Sequence, residues 1–221
     1  MHPKLKYCGN HSLRDVQLTR NSHADYIGFI FTCKSRRTVK PEQVADWLKQ
    51  SEMDESKKIV GVFADDSAEF IEAVARKVPL DVIQLHGSES PSDTALIKQL
   101  TGLKVWKALH HDRDTLEEMR RSRGIADGFV IDTKISGHLG GTGISFDWSS
   151  VPQYVDEAGH QRVDCLIAGG IRPENIDSLL HYKPIGIDIS SGIETDFHKS
   201  GKQIQKIEAK VLGINDQTTT N

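Results

Sequence analysis

The sequence predicts a single (β/α)8 barrel of the α/β class, and three observations carry that prediction. Eight short β-branched or apolar runs recur along its 221 residues. Most gaps between runs hold one helix with a single apolar stripe, as an outer ring packed on a sheet requires. No stretch is left over for a second domain, and a barrel of this kind takes roughly 200 to 250 residues. A doubly wound open sheet is the structural alternative.

The runs are Leu5–Cys8, Tyr26–Ile30, Ile59–Phe63, Val82–Leu85, Lys104–Ala108, Gly128–Ile131, Cys165–Ala168 and Gly186–Ile189. After the second run, Lys40-Pro41 opens a helix with Val44, Trp47 and Leu48 on one face. After the third, Asp66 and Glu69 suit a cap ahead of Phe70, Ile71 and Val74. After the fourth, Ser90-Pro91-Ser92-Asp93 supplies a capping serine, a proline at the first helical position and an acid at the third. Leu96, Ile97 and Leu100 follow at helical spacing. The sixth unit is longer than the rest by the glycine-rich stretch Ser136–Gly143. After the seventh run, Arg172-Pro173 opens a helix with Ile176, Leu179 and Leu180. The barrel is expected over residues 1–213, with a frayed polar tail over 214–221.

Composition excludes several classes of function. The formal net charge is −3, so no global basic field points to nucleic acid or an anionic membrane. An anionic ligand must be held by local groups. The three cysteines, Cys8, Cys33 and Cys165, are odd in number and far apart, which argues for a reducing compartment over a disulfide framework. No signal-peptide core and no run near the roughly 18 apolar residues of a membrane helix is present. The expectation is a cytoplasmic protein without membrane or nucleic-acid partners.

In such a barrel the chemistry sits at the C-terminal ends of the strands. Alternation along the first strand puts Leu5 and Tyr7 on one face and Lys6 and Cys8 on the other. The apolar pair should face the helices, so Lys6 and Cys8 should enter the barrel. A cation below a thiol favours the thiolate. The alternative is that Cys8 is a small buried hydrophobe. Asp132 closes the apolar run Phe129–Ile131 and is a candidate general acid if burial raises its pKa; otherwise it caps a turn. Gln84 and Asp188 alternate with apolar neighbours, as a polar layer inside the barrel or as substrate contacts.

Gly169-Gly170 and Ser191-Gly192 follow the last two strands, a frequent phosphate site in this fold. Gly140-Gly141-Thr142-Gly143 offers a third such loop. Arg36 and Arg37 are candidates for a carboxylate clamp or form a solvated basic loop. His86, His110 and His111 follow strand ends, but no carboxylate joins them at a ligand-like spacing, so no catalytic metal is expected.

These residues, in this order, resemble the phosphoribosylanthranilate isomerases. The matching stretches are Lys6-Tyr7-Cys8-Gly9, Gly28–Phe31 with Lys34-Ser35-Arg36-Arg37, Gly61-Val62-Phe63, Asp81–Gly87 and Trp106-Lys107-Ala108. Asp132 with Gly140–Gly143 and Phe146-Asp147-Trp148 continues the set, and Ala168-Gly169-Gly170, Pro173-Glu174-Asn175 and Asp188–Glu194 complete it. The resemblance implies a TIM barrel without metal or organic cofactor. It implies an Amadori rearrangement of N-(5-phosphoribosyl)anthranilate, a small phosphosugar substrate. By the same resemblance Cys8 is the general base, Asp132 the general acid, and Arg37 meets the anthranilate end. Gln84, Gly141, Gly169, Gly170, Ser191 and Gly192 line the rest of the substrate site. A monomer is expected, with a dimer as the alternative.

Three places depart from the family's pattern. Asn10-His11 replaces an apolar-threonine pair, Cys33 stands where proline is frequent, and Thr195–Ser200 lacks the usual glycine-containing turn. Other phosphosugar barrels fit less well. Ribulose-phosphate epimerase needs a metal site with no match here. Indole-glycerol-phosphate synthase leans on lysine and glutamate instead of a first-strand cysteine. A non-catalytic phosphate binder would not need Cys8, Arg37 and Asp132 together.

Overall fold

The apolar runs form eight parallel strands that close into a barrel in the computed structural model, which describes residues 2–53, 56–133 and 145–213. The strands are β1 (Lys4–Tyr7), β2 (Tyr26–Ile30), β3 (Lys58–Phe63), β4 (Val82–Leu85), β5 (Lys104–His110), β6 (Gly128–Asp132), β7 (Asp164–Ile167) and β8 (Gly186–Ile189). β1 lies between β2 and β8, with Lys6 opposite both Tyr26 and Asp188, and so closes the ring. The open-sheet alternative is thereby excluded.

Around the barrel run α1 (Leu13–Arg20), α2 (Pro41–Gln50), α3 (Ala68–Lys77), α4 (Pro91–Thr101), α5 (Thr115–Arg121), α6 (Val151–Gln161), α7 (Ile176–Leu180) and α8 (Gly201–Leu212). The predicted capping box at α4 is present. Ser90 Oγ accepts from the Asp93 N–H at 3.2 Å, and Asp93 Oδ2 accepts from the Ser90 N–H at 2.8 Å. The α3 cap differs from expectation. Ser67 Oγ accepts from the Phe70 N–H, while Asp66 turns back to accept from the Ala64 N–H at the end of β3. Arg172-Pro173 opens a turn closed by the Asn175 side chain, and α7 begins only at Ile176.

The α4 stripe is also narrower than its spacing suggests. Ile97 is buried with Thr94, whereas Leu96 and Leu100 stand 46% and 43% exposed. The two leucines lie one turn apart on the flank of the buried line, so helical spacing alone does not say which row faces the sheet. Two apolar layers fill the space between sheet and helices. A third cluster fills the barrel itself, with Trp106, Tyr26, Val60, Val82, Val130 and Leu166 at its centre. Trp106 and Tyr26 meet edge to face at 4.8 Å. Among the described residues the barrel is therefore filled at its lower end, and a pocket opens at the strand C-termini.

The loops after β7 and β8 meet in that mouth. A Cβ on Gly192 would lie 1.8 Å from the Ile171 carbonyl oxygen, so only glycine permits the approach. Gly192→Ala should separate the two loops and cost about 1–3 kcal/mol, read as a lower Tm. If the two loops hold phosphate, inorganic phosphate should raise the Tm of the parent chain, and Gly192→Ala should blunt that rise.

After a 3₁₀ turn at Ser191–Ile193, a short hairpin follows, β9 (Glu194–Thr195) and β10 (His198–Lys199). Its two turn residues, Asp196 and Phe197, both have positive φ, 50° and 71°. This is the turn where the sequence lacks the expected glycine, and non-glycine residues there are strained by roughly 1–2 kcal/mol each. Phe197 is held by its contacts: its ring lies 4.6 Å from the Arg36 guanidinium, 5.0 Å from that of Arg37 and 4.5 Å from the His11 ring.

Among the described residues no helix is long and apolar enough to cross a membrane. Gly141, the stretch 136–143 and the tail 214–221 lie outside the described residues.

Candidate active site

Inward-facing side chains at the strand ends build one pocket that opens to solvent at the barrel mouth. Its walls include Cys8, Arg37, Gln84, Asp132, Gly169, Gly170, Ser191 and Gly192. The structure thus brings together every described residue that the resemblance assigned to the site.

Alternation on β1 is as expected. Leu5 and Tyr7 pack outward with the helices, while Lys6 and Cys8 point inward. Lys6 is fully buried, and its Nζ donates to Asp188 Oδ2 at 2.8 Å. Gly28 on β2 leaves room for the thiol, since a Cβ there would lie 2.8 Å from Cys8 Sγ. The electrostatic expectation needs correction. Burial pushes the Cys8 thiol above its ordinary value of 9.0, and Asp188 adds to the rise. Lys6 and Lys199 pull the other way but do not win. Lys6 is already neutralised by Asp188, so the thiol keeps its proton at neutral pH.

Asp132 differs in the opposite sense. It is buried at the end of β6, and burial alone pushes its carboxyl up. The His86 imidazole beside it and a hydrogen bond from the Thr133 N–H outweigh that push and hold it below the usual carboxylate value. His86 Nε2 lies 3.2 Å from Asp132 Oδ2, and the Thr133 N–H donates to Oδ1 at 2.7 Å. Gln84 Nε2 sits 3.1 Å from His86 Nδ1. The chain Gln84–His86–Asp132 therefore orients the imidazole with Nε2 toward the carboxylate. The sequence reading placed His86 only among possible metal ligands. The structure places it beside the acid.

Arg37 is buried in the pocket wall, while Arg36 is exposed outside it. Arg37 Nε and Nη2 donate to Glu194 Oε1 and Oε2 at 2.9 and 2.6 Å. Buried Lys199 donates to the same Glu194 at 2.8 Å and to the Ser190 carbonyl at 3.1 Å. Burial pushes the Glu194 carboxyl up, but Arg37 and Lys199 hold it below its usual range. Burial in turn lowers Lys199, with Glu194 opposing. Sequence reasoning named Arg37 but missed its buried partners Glu194 and Lys199.

Of the remaining candidates, Cys33 is exposed and Cys165 is buried with its thiol pushed up to about 12 by burial. Neither lines the pocket. His111 is bound to Tyr154 at 2.8 Å and stacks on Phe146. Asn10 is buried and ties the loop after β1 to β2 and α1 through Tyr7, Gly28 and Thr19.

A sequence-family profile described as N-(5'phosphoribosyl)anthranilate (PRA) isomerase matches residues 5–210. N-(5'-phosphoribosyl)anthranilate isomerase of Geobacillus thermodenitrificans is 52% identical over 94% of this chain and 93% of its own. That of Bacillus subtilis is 46% identical over 95% of each. Among solved structures, phosphoribosyl anthranilate isomerase from Thermotoga maritima superposes with a TM-score of 0.79 at 29% identity, covering 96% of this chain and all of the other. One such isomerase, 28% identical with a TM-score of 0.77 over 96% of this chain and all of its own, was solved with reduced 1-(o-carboxyphenylamino)-1-deoxyribulose 5-phosphate.

Proposed function

The chain belongs to the N-(5'-phosphoribosyl)anthranilate isomerase family, and from that membership and the pocket's geometry we propose how it works. It converts N-(5'-phosphoribosyl)anthranilate to 1-(2-carboxyphenylamino)-1-deoxyribulose 5-phosphate, an Amadori rearrangement in tryptophan biosynthesis. The observation that carries the reading is a thiol on β1 and a carboxyl on β6 in the wall of one pocket, with Arg37 and the glycine loops beside them.

Asp132 protonates the furanose ring oxygen, and the ring opens to an iminium. Cys8, as the thiolate, then removes the C2 proton, and the enol-amine tautomerises to the ketone. One acid and one base suffice, so we read the reaction as independent of metal and organic cofactor. Gly169, Gly170, Ser191 and Gly192 cradle the phosphate with backbone N–H groups, as anion sites in such loops do; Gly141 is assigned there by resemblance alone. Gln84 orients His86, and His86 orients Asp132. We read the chain as a monomer, with a dimer as the alternative; the described lining of the pocket already includes both proposed catalytic groups, Cys8 and Asp132. A reducing, cytoplasmic setting belongs to the same proposal, since Cys8 must remain a free thiol.

Arg37 meets the anthranilate carboxylate. Glu194 occupies Nε and Nη2, which leaves Nη1 as the donor we assign to substrate. The test is turnover of freshly generated phosphoribosylanthranilate, followed by its fluorescence. A chain that holds the reduced product analogue but leaves substrate unchanged would be a binder and not an isomerase. In the same assay Arg37→Ala should raise KM about 10- to 100-fold, the worth of one charge-assisted contact. Lysine should restore it only in part, lacking the planar fork. An unchanged KM in a folded Arg37→Ala variant would move the role to Arg36.

A further inference from the structure

We propose that His11, Asp15 and His198 form a binding site for one zinc-class transition-metal ion, outside the catalytic pocket. His11 lies in the turn after β1, Asp15 in the first turn of α1 and His198 at the start of β10. One ligand atom from each lies within 4.8 Å of the others. His198 Nδ1 is 3.7 Å from Asp15 Oδ1, and His11 Nδ1 is 3.2 Å from Asp15 Oδ2. Two ligands about 2.0–2.1 Å from a tetrahedral zinc stand roughly 3.3 Å apart. Little movement is needed, and His198, 49% exposed on a surface hairpin, can supply it.

The supporting groups are those of a metal site. Asp15 is fully buried, and each of its oxygens is oriented by a backbone donor: the His11 N–H at 3.2 Å and the Lys199 N–H at 2.9 Å. Each oxygen keeps a lone pair. The His11 and His198 rings stack at 5.0 Å with 18° between their planes. The nitrogen of each ring that faces Asp15 is Nδ1, and in His11 it also lies 3.2 Å from the Gly9 carbonyl. A cation there takes Nδ1 of both imidazoles, with the proton of each ring on Nε2.

Two imidazoles and one carboxylate suit zinc, cobalt or nickel over magnesium or calcium. The exposed side of His198 leaves room for water ligands. His198 also adjoins Lys199, which with Arg37 holds Glu194, so an ion here would pin the strained hairpin to α1.

Full-length protein stripped with a chelator should take up one zinc ion per chain by calorimetry and bind cobalt with a visible d–d spectrum. Its Tm should rise with metal concentration. His198→Ala, on the exposed hairpin, should weaken uptake by at least about 100-fold, and His11→Ala likewise. Cys8→Ser should bind zinc as the parent does, which separates this site from zinc captured by the catalytic thiol. The proposal is overturned if the parent takes up no zinc. It is also overturned if a folded His198→Ala variant binds as tightly as the parent, or if binding disappears with Cys8→Ser.

Discussion

Cys8→Ser should lower kcat by about 10²–10⁴-fold, the usual share of a general base, while leaving affinity for the reduced product analogue nearly unchanged. The substitution keeps the shape of a side chain packed against Gly28 and above the Lys6–Asp188 pair. It replaces a thiol by a hydroxyl far too weakly acidic to supply an anion. Even the thiol is not an easy anion here, since burial raises it above 9.0. Serine has no comparable route to a base. Deuterium at substrate C2 should slow the variant more than the parent, because proton abstraction becomes its slowest step. Wild-type turnover by Cys8→Ser would mean that another group removes the C2 proton.

Much of this was legible in the residues. Tyr26–Ile30, Val82–Leu85 and Gly186–Ile189 are strands with the predicted bounds. β1 and β7 each lie one residue earlier than expected, because Cys8 and Ala168 leave the regular ladder where the mouth opens, though each still donates to a neighbouring strand. Period-two alternation was enough to send Lys6, Cys8 and Gln84 inward. Partners distant in sequence were not legible. Arg37 and Glu194 are 157 positions apart, so no local pattern links them. Their only signal was an acid placed just after the eighth strand's glycine loop. The pKa directions of Cys8 and Asp132 were not legible either: burial, which alternation does not weigh, dominates the thiol with Asp188 adding to it, and at the carboxyl His86 from another strand outweighs burial. The histidines weighed as metal ligands were His86, His110 and His111, not His11 and His198. The one such cluster among the described residues pairs the departure at His11 with the hairpin's His198.

Asp132→Asn should cost a similar 10²–10⁴-fold in kcat, and its pH dependence should differ in sign from that of Cys8→Ser. In the resting pocket the proton sits on Cys8 and the charge on Asp132, since the thiol is raised and the carboxyl lowered. Catalysis needs the reverse, a thiolate and a carboxylic acid. Both states hold one proton between the two groups, so the parent needs only an internal transfer. Its kcat/KM should stay flat across neutral pH and fall on both sides. The acid limb belongs to Asp132 and the alkaline limb to Cys8. Asp132→Asn retains only the thiol, so its residual rate should climb about tenfold per pH unit and level off only above 9, where the raised thiol titrates. Cys8→Ser retains only the carboxyl, so its residual rate should fall with rising pH once the lowered Asp132 has ionised. His86→Ala removes the imidazole that holds Asp132 down, so the acid limb of the parent profile should move to higher pH in that variant. Parallel profiles for the Asp132 and Cys8 variants would show that the two residues do not share the proton in this way.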